Sequence, residues 1–420
     1  MTRDRSKGRS RGVLGLLDIG TSKNACLIVA LDRGAAVAGR PSGRVVGLGH
    51  KRSRGIKAGV ITDLEHAEQA VRACVGDAER MAGVTLDAVL VAVGCGRIRS
   101  QTFAANAEIA NGIVADADIA RVLSGGHAYV ERDGRRLLHM NRIAFRLDGA
   151  PGASNPRGMA ARRLTADLTA VTADEAPLRN IAVLLDRCFL GLDGFVASPY
   201  ASALAVTSAE ERRLGVTAID IGAGTTKIGM FVDGHLIAAE VVPVGSDHIT
   251  YDIARALRTP LAEAERIKAL YGTVLFAQSD EHEVFSYPLA DEEGYYQATK
   301  AQLARIVAQR AQSLFGLIEE RLDRSGMRHL AGRRFVLTGG GAELVGLAEL
   351  AANRLREPVR VAGPSGPSGL PQAVRVPAFA TVVGLLQAAE EAERAPGGQE
   401  LAGAGDGYLG RVGRWLMEGL

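Results

Sequence analysis

Two short segments repeat one glycine-containing turn in the two halves of the chain, Asp-Ile-Gly-Thr-Ser-Lys at residues 18–23 and Asp-Ile-Gly-Ala-Gly-Thr-Thr-Lys at residues 220–227. Each segment follows one apolar run of β type and precedes another, which predicts a glycine at the tip of a hairpin. Glycine lets a backbone approach an anion closely. N–H groups and hydroxyls at such a tip can therefore point at phosphate oxygens, while the adjacent aspartate holds magnesium through water. One such turn is more often an ordinary hairpin, but two copies predict phosphate-binding turns that face each other across a cleft.

Composition bounds the class of protein. The chain has 420 residues, of which 47% are hydrophobic, enough for two or more domains with their own cores. Its four cysteines are scattered without C-x-x-C spacing, which argues against a disulfide framework or a zinc site and fits a reduced cytoplasm. The net charge of +3 neither demands nor excludes nucleic acid, and we expect no nucleic-acid partner. Charges interrupt every apolar run before the ~18 residues that a spanning helix needs.

Helical and β patterns alternate along the first half. Apolar residues recur at helical spacing over residues 61–82, behind a Thr-Asp pair that is typical of a helix N-terminus. The sequence then changes to short alternating segments separated by turn-rich stretches. This predicts an inserted α+β subdomain over 86–172 that includes a strand at 89–93. Small residues at 198–205 predict a crossover helix that packs closely against another element.

The second half repeats this order. An amphipathic helix is predicted over residues 299–322, and a strand over 334–337 opens into a triple-glycine loop at 339–341. Small residues at 377–386 predict a second crossover helix. Residues 395–407 have the composition of a flexible linker.

The last residues, 408–420, project as an amphipathic helix. One face carries the only tryptophan of the chain, and arginines lie on the other face. A short helix of this kind on a flexible tether is typical of a segment that binds the surface of an anionic bilayer. The alternative is a helix docked on the protein's own surface. The residues predicted to meet the membrane are Leu409, Arg411, Val412, Arg414, Trp415, Leu416 and Leu420.

The order of these features resembles the actin and sugar-kinase superfamily over nearly the whole chain. The shared order is first turn, first crossover helix, second turn, triple-glycine nucleotide loop and second crossover helix. Within the superfamily the chain resembles the FtsA family of bacterial division proteins. Shorter matches carry this resemblance at residues 54–61, 147–149, 155–159 and 249–254, and the amphipathic tail completes it.

The resemblance implies an α/β fold of the actin-like (ribonuclease H-like) class, duplicated into two lobes, with an inserted α+β subdomain and a C-terminal amphipathic helix. The predicted segments are a disordered basic arm (1–12), the first lobe (13–85), the inserted subdomain (86–172), the return of the first lobe with a crossover helix (173–210), the second lobe (211–250), its helical subdomain (251–330), the remainder of the second lobe (331–376), the second crossover helix (377–394), the linker (395–407) and the membrane-targeting helix (408–420).

The resemblance also implies a function and partners. It implies an ATP-binding protein that forms filaments through its inserted subdomain and carries FtsZ polymers to the inner membrane. The protein is then peripheral, on the cytoplasmic face at the division site. Its expected partners are the FtsZ C-terminal peptide, copies of itself, the anionic membrane surface and other divisome proteins. The FtsZ peptide is expected on the helical subdomain, with Arg305 and Arg310 as candidates for binding its acidic residues. The alternative is that these arginines only form a solvated helix face.

The site for ATP and magnesium is carried over from the resemblance residue by residue. Asp18 and Asp220 are expected beside a magnesium ion, held through water. Glu265 and Lys268 resemble the family's ribose and adenine contacts, or alternatively form an i,i+3 surface pair. The residues expected around the nucleotide are Gly20, Thr21, Ser22, Lys23, Gly222, Gly224, Thr225, Thr226, Glu265, Lys268, Gly339, Gly340 and Gly341.

ATP hydrolysis is a separate question, because in-line attack needs a residue that orients or deprotonates water. Hydrolytic relatives place a Glu or Gln at or just before the first crossover helix, whereas residues 196–199 here read Val-Ala-Ser-Pro. ATP is therefore predicted to act as a structural switch with little or no turnover. Asp220 is the only carboxylate predicted to support residual hydrolysis.

Two other functions stay open at this point. A small-molecule kinase of the same superfamily would use the same cleft, but it offers no role for the amphipathic tail. An actin-like pilus-assembly adaptor would bind a membrane protein's cytoplasmic peptide instead of inserting its own helix. The tail discriminates between these functions and the division role.

Overall fold

The computed structural model describes residues 12–31, 43–95, 97–130, 134–153, 155–290, 294–326, 328 and 332–394. The linker and the amphipathic helix predicted at 395–407 and 408–420 lie outside these residues, as does nearly all of the basic arm. Within the described ranges, no helix is long and apolar enough to cross a membrane.

Strands and helices alternate through both halves of the chain. The strands are β1 (Val13–Ile19), β2 (Lys23–Leu31), β3 (Gly43–Arg52), β4 (Ile56–Lys57), β5 (Val60–Ile61), β6 (Ala88–Val93), β7 (Arg99–Glu108), β8 (Arg135–Leu147), β9 (Ala150–Ala153), β10 (Arg163–Asp174), β11 (Gly191–Ala197), β12 (Val216–Ile221), β13 (Thr226–Val232), β14 (His235–Val242), β15 (Val284–Pro288), β16 (Tyr295–Thr299), β17 (Phe335–Thr338) and β18 (Val359–Val361). The α-helices are α1 (Leu64–Ala82), α2 (Asp116–Val130), α3 (Glu175–Arg187), α4 (Ser198–Val206), α5 (Ala209–Leu214), α6 (Asp247–Leu257), α7 (Leu261–Tyr271), α8 (Lys300–Arg324), α9 (Leu347–Leu355) and α10 (Ala380–Arg394).

Two sheets with the same strand order form the two lobes. The first runs β3-β2-β1-β6-β11 and the second runs β14-β13-β12-β17-β18. In each sheet three strands are antiparallel, and two parallel strands follow on the other side. The turn at residues 18–23 connects β1 to β2, and the turn at 220–227 connects β12 to β13. The predicted hairpin tips are therefore confirmed, and they occupy equivalent positions in the two lobes.

Two helices of small residues cross between the lobes. Helix α4 follows β11 of the first lobe but packs on β12 and β13 of the second, whereas α10 packs on β1 and β6 of the first. The helices meet where Gly384 faces Ala201. A Cβ added to Gly384 would lie 1.7 Å from the Ala201 carbonyl oxygen. The predicted close packing of these helices is confirmed, and α10 itself is preceded by a 3-10 turn, Pro377–Phe379.

The inserted subdomain is a four-stranded sheet, β7-β10-β8-β9, covered by α2. The strand predicted at 89–93 does not belong to it. That strand is β6, which pairs in parallel with β1 and β11 in the first-lobe sheet. This part of the prediction is wrong because a short apolar strand has the same sequence pattern in whichever sheet it pairs.

A histidine connects the inserted subdomain to the first crossover helix. The Nε2 atom of His139, on β8, accepts a hydrogen bond of 2.9 Å from the backbone N–H of Ala197, the residue before α4. The His139 ring also packs on Tyr200, with 4.7 Å between ring centroids. The Tyr200 hydroxyl in turn donates to Glu391 of α10 at 2.6 Å. Two hydrogen bonds and one ring contact therefore connect the insert to both crossover helices.

The long helix α8 joins the helical subdomain to the second lobe. It begins with a capping box, in which Thr299 and Gln302 exchange side-chain and backbone hydrogen bonds. Its N-terminal part packs with α6 and α7 through Leu303 and Val307, while residues from Ala311 onward pack under the second-lobe sheet. The helix predicted at 299–322 is therefore confirmed, and it belongs to two cores at once.

Gly384→Ala tests the helix crossing. We expect the free energy of unfolding to fall by about 1–3 kcal/mol, because the added methyl group would overlap the Ala201 backbone. Gly76→Ala in α1 is the matched control. Nothing lies within 4 Å of a Cβ added at Gly76, and alanine there stabilises the helix by up to about 1 kcal/mol. Chemical denaturation measures both variants. Equal changes in the two would contradict a close contact at Gly384.

His139 makes stability depend on pH. Burial lowers the pKa of His139 to about 4, whereas an unfolded chain has a histidine pKa of about 6.5. The unfolded state therefore takes up a proton first as pH falls, and the folded state loses up to roughly 3 kcal/mol of stability between about pH 6.5 and pH 4. His139→Gln keeps a hydrogen-bond acceptor without titrating. In denaturation curves across this range, the variant should show a smaller pH slope than the natural chain. An unchanged slope would contradict the role of His139.

Candidate functional site

A cleft between the two lobes has both hairpin turns on its walls. Its volume is about 480 Å³, within the range of cavities that hold cofactors. The predicted site residues that line it are Asp18, Gly20, Thr21, Ser22, Lys23, Asp220, Gly222, Gly224, Thr225, Glu265, Lys268, Gly339, Gly340 and Gly341. The fold thus brings together residues from four distant parts of the chain.

The two turns share one backbone geometry. The Gly20 N–H donates to the Lys23 carbonyl at 3.0 Å, and the Gly222 N–H donates to the Thr225 carbonyl at 2.9 Å. Their tips also approach each other. A Cβ added to Gly224 would lie 2.5 Å from the Thr21 hydroxyl oxygen. Glycine at this position lets the turns of the two lobes meet, so the predicted face-to-face arrangement is confirmed.

The triple-glycine loop forms a third wall. Gly339 has φ of +82°, and a Cβ there would lie 2.3 Å from Asp220 Oδ1. A Cβ on Gly341 would lie 2.5 Å from the Ile221 side chain. Only glycine combines this backbone conformation with such a close approach. The loop therefore lies directly against the second turn.

Thr226 is the one residue of the predicted nucleotide set that does not line the cleft. It is fully buried, and its hydroxyl donates to the Val244 carbonyl at 2.8 Å. Side chains alternate along a strand, so Thr226 points away from the cleft while its neighbours Thr225 and Lys227 face it. The predicted contact of Thr226 with phosphate is therefore corrected.

Two aspartates and two lysines lie at the base of the cleft. The Lys227 ammonium lies 3.0 Å from Asp220 Oδ2, which also accepts a 3.0 Å hydrogen bond from the Thr381 hydroxyl. Lys23 donates to the Ala378 carbonyl, and its Nζ lies 3.6 Å from the centroid of the Phe379 ring.

Burial and charge act against each other in this group. Burial raises the pKa of Asp18, although Lys227 and Lys23 oppose the shift. Burial lowers the pKa of Lys23 to about 8, against the attraction of Asp18 and Asp220. For Lys227 the order is reversed. Burial would lower its pKa, but Asp220 and Asp18 outweigh burial, and the net pKa is raised. Lys227 is therefore held protonated.

The carboxylates predicted to hold magnesium already face cations. One oxygen of Asp220 has two donors, and Asp18 is flanked by both ammonium groups. Over the part of the chain that the structure describes, no group of three His, Cys, Asp or Glu side chains could hold a metal ion. As arranged, Asp18 and Asp220 do not fit a divalent ion, because two ammonium groups already balance their charge.

Glu265 and Lys268 form a pair inside the cleft. Their charged atoms lie 2.7 Å apart, and only 11% of the Lys268 side chain is exposed. Thr250 donates to Glu265 at 2.5 Å and accepts from Lys268 at 2.8 Å. The i,i+3 spacing of a surface pair is therefore present, but the lysine is buried in the cleft wall.

Sequence reasoning missed part of the lining. Lys227 lies within the quoted second turn, and strand alternation with Thr225 is the signal that identifies it. The other missed residues carry no local signal, because the docking of the lobes and the second crossover helix brings them to the cleft. They include Gly59, Gly94, Ser246, Asp247, Glu343 and Thr381.

The first crossover helix places a hydroxyl at the cleft, where hydrolytic relatives are expected to have a Glu or Gln. Ser198 lines the cleft and is nearly fully buried. Asp220, predicted to support residual hydrolysis, has its Oδ2 occupied by Lys227 and Thr381.

The two arginines predicted to bind a partner peptide differ. Arg310 makes a bidentate ion pair with Asp252 of α6, at 2.6 and 3.0 Å. Arg305 has 68% of its side chain exposed and lies 3.7 Å from Glu281. Arg310 is thus engaged within the protein, and Arg305 is the more available cation.

Sequence comparison finds two family matches. Residues 217–384 match the family Cell division protein FtsA, and residues 95–172 match the SHS2 domain inserted in FTSA. The cell division protein FtsA of Rhizobium meliloti (strain 1021) is 40% identical over 418 residues, which cover 97% of this chain and 94% of the relative. That of Pseudomonas aeruginosa is 34% identical, covering 96% of each chain. That of Escherichia coli (strain K12) is 29% identical, covering 98% and 99%.

Solved structures share the fold at low identity. The chain from a PilM-PilN type IV pilus biogenesis complex has a TM-score of 0.62 and 16% identity, covering 89% of this chain and 98% of that one. MreB 5 of Spiroplasma citri bound to AMPPNP has a TM-score of 0.50 and 14% identity, covering 92% and 98%. The predicted actin-like fold class is confirmed for the described residues.

Proposed function

The chain belongs to the FtsA family of cell division proteins. From this premise we propose that it binds ATP between its lobes, polymerises on the inner membrane and tethers FtsZ filaments to that membrane during septum assembly. The actin-like division role follows from the family. The nucleotide, the filament, the membrane surface and the FtsZ peptide are the parts that experiment must test.

The observation that carries the ATP proposal is the pair of turns on one cleft. Both tips bring hydroxyl-bearing residues, Thr21, Ser22 and Thr225, to the lining of the same cavity. Glycine closes each turn tightly, since a Cβ at 20 or 222 would meet the carbonyl of Lys23 or Thr225 at 2.6 or 3.0 Å. The solved MreB 5 structure of the same fold holds AMPPNP. In the proposal the phosphates lie between the turns, the nucleoside lies along the triple-glycine loop, and Glu265 and Lys268 contact its ribose and base.

ATP in this proposal acts as a switch with little or no turnover. The residue at the start of the first crossover helix is Ser198, whose hydroxyl is a weak base for activating water. Asp220 is held by two donors at one oxygen. In this proposal the binding of ATP closes the lobes, and rapid hydrolysis of ATP is not needed.

The FtsZ C-terminal peptide is proposed to bind the helical subdomain beside α8. Arg305 is the exposed cation there, and an arginine pairs well with peptide carboxylates. Arg310 contributes by fixing α8 to α6 through Asp252, unless the peptide displaces that pair.

The membrane part of the proposal depends on the sequence of residues 408–420. Tryptophan and leucine on one face would enter the lipid surface, and Arg411 and Arg414 would meet anionic headgroups. Filaments would multiply this weak contact, because several short helices on one polymer bind together.

Co-sedimentation on anionic liposomes tests the tether. With ATP and magnesium present, we expect FtsZ to pellet with the full chain but not with a chain that ends at Gly407. If the full chain binds ATP but neither liposomes nor FtsZ, the division tether is overturned, and the pilus adaptor or kinase becomes the better reading.

Arg305→Glu separates the peptide site from the tail. This variant should still pellet on liposomes but carry about tenfold less FtsZ, because a carboxylate repels the acidic peptide. Arg213→Glu, at an exposed arginine on α5, is the matched control and should carry FtsZ like the natural chain. Equal amounts of FtsZ in the pellets of the Arg305→Glu and Arg213→Glu variants would show that the peptide binds away from Arg305.

Lys23 makes ATP affinity depend on pH. Its amine has a pKa of about 8 and loses its charge as pH rises through that value. We expect ATP binding to weaken by about tenfold between roughly pH 7 and pH 9.5, because a charge-assisted hydrogen bond to phosphate is lost. Bound phosphate raises the pKa, which moves the loss toward the upper end of the range. Lys23→Arg stays charged and should flatten the calorimetric profile. If ATP affinity falls with pH equally in the natural chain and in Lys23→Arg, the proposed role of the Lys23 charge is contradicted.

A further inference from the structure

Lys227 spans the cleft from one lobe to the other. It stands on β13 of the second lobe, and its ammonium lies 3.0 Å from Asp220 with 13% of the side chain exposed. A Cβ added to Gly94, which follows β6 in the first lobe, would lie 3.3 Å from Lys227 Cε. A Cβ on Gly222 in the second turn would lie 3.7 Å from Lys227 Nζ. The amine is therefore at the base of the second turn, in the space shared by the lobes.

At the base of the cleft the two lysines match the two aspartates in number. Lys23 and Lys227 face Asp18 and Asp220, so four formal charges cancel when all are ionised. Magnesium in nucleotide sites is usually held by one or two carboxylates together with the phosphates. Here an ammonium lies against the carboxylate that a metal would need, and the Thr381 hydroxyl occupies the same oxygen.

We propose that the Lys227 ammonium takes the place of the divalent cation in this cleft. It supplies a fixed positive charge beside the phosphates, so that ATP binds without magnesium. The proposal rests on the proposed ATP-binding function and deepens it.

The Lys227 ammonium can replace magnesium because its positive charge is part of the folded chain. An ammonium is a compact cation with three donors on a flexible stem, and it can turn from Asp220 toward a phosphate oxygen without leaving the cleft. Asp18 and Asp220 keep the amine protonated despite burial, because they raise its pKa. Magnesium, in contrast, must shed some of its strongly held water before it binds.

Calorimetric titration of the full chain with ATP tests this directly, once in magnesium buffer and once in EDTA. We expect the Kd in EDTA to be within about threefold of the Kd in magnesium, which is less than about 1 kcal/mol of binding free energy. A larger loss in EDTA overturns the inference and leaves the proposed function standing. Absence of ATP binding in both buffers overturns the proposed function itself.

Two variants locate the effect at Lys227. Lys227→Asp places a second carboxylate beside Asp220, so its ATP binding should weaken by about tenfold or more when EDTA replaces magnesium. Lys227→Gln should weaken ATP binding by about tenfold in both buffers, because a charge-assisted hydrogen bond is lost.

Lys51→Gln is the matched control for these variants. Lys51 lies outside the cleft, paired with Asp77 at 2.6 Å, and its loss should leave both Kd values unchanged. Thermal melting checks that each variant is folded. The natural chain is itself titrated in both buffers. Its two Kd values therefore test whether ATP binds without magnesium, even if a substitution prevents folding. A Lys227→Asp variant with the same buffer ratio as the natural chain overturns the inference.

Discussion

The docking of the two lobes depends on a backbone contact where α10 crosses α4. Gly384 lies against the Ala201 carbonyl, and Gly229 of β13 lies against the Pro199 carbonyl. Because α4 packs on the second-lobe sheet and α10 on the first, these contacts bring both sheets to a common core. Larger side chains would separate the helices. The hairpin tips could then no longer meet where Gly224 faces Thr21.

The same docking creates the electrostatics of the cleft. Burial drives Asp18 and Lys23 toward their neutral forms, while the aspartates hold Lys227 charged. A cleft with such a balance responds to an anion, because a phosphate restores charge to a buried amine. Glycines at 222, 224 and 339 let the segments that form the cleft lie this close together, since a Cβ at each would meet a neighbouring protein atom at 3.0 Å or less.

The helical subdomain connects the cleft to the surface proposed for the partner. Helix α7 carries Glu265 and Lys268 on the cleft wall, and its Ile267 packs in one core with Leu303 and Val307 of α8. Arg305 lies on that same helix. Packed side chains therefore connect the cleft wall to this surface, and α8 continues into the core of the second lobe.

The sequence by itself determined the elements and the two turns, because periodicity, caps and glycine positions act over a few residues. It predicted the hairpin tips, α8, both crossover helices and, apart from Thr226, a set of residues that the structure places on one cleft. Tertiary structure decided the strand pairings and side-chain contacts that a local sequence pattern does not specify. Strand β6 joined the first-lobe sheet, Thr226 turned toward Val244, and Arg310 paired with Asp252. Thr381 and Ser246 reached the cleft only through docking. Which strand pairs with which, and which side chain meets a distant one, depends on how the sheets and helices pack, and no local spacing encodes that geometry.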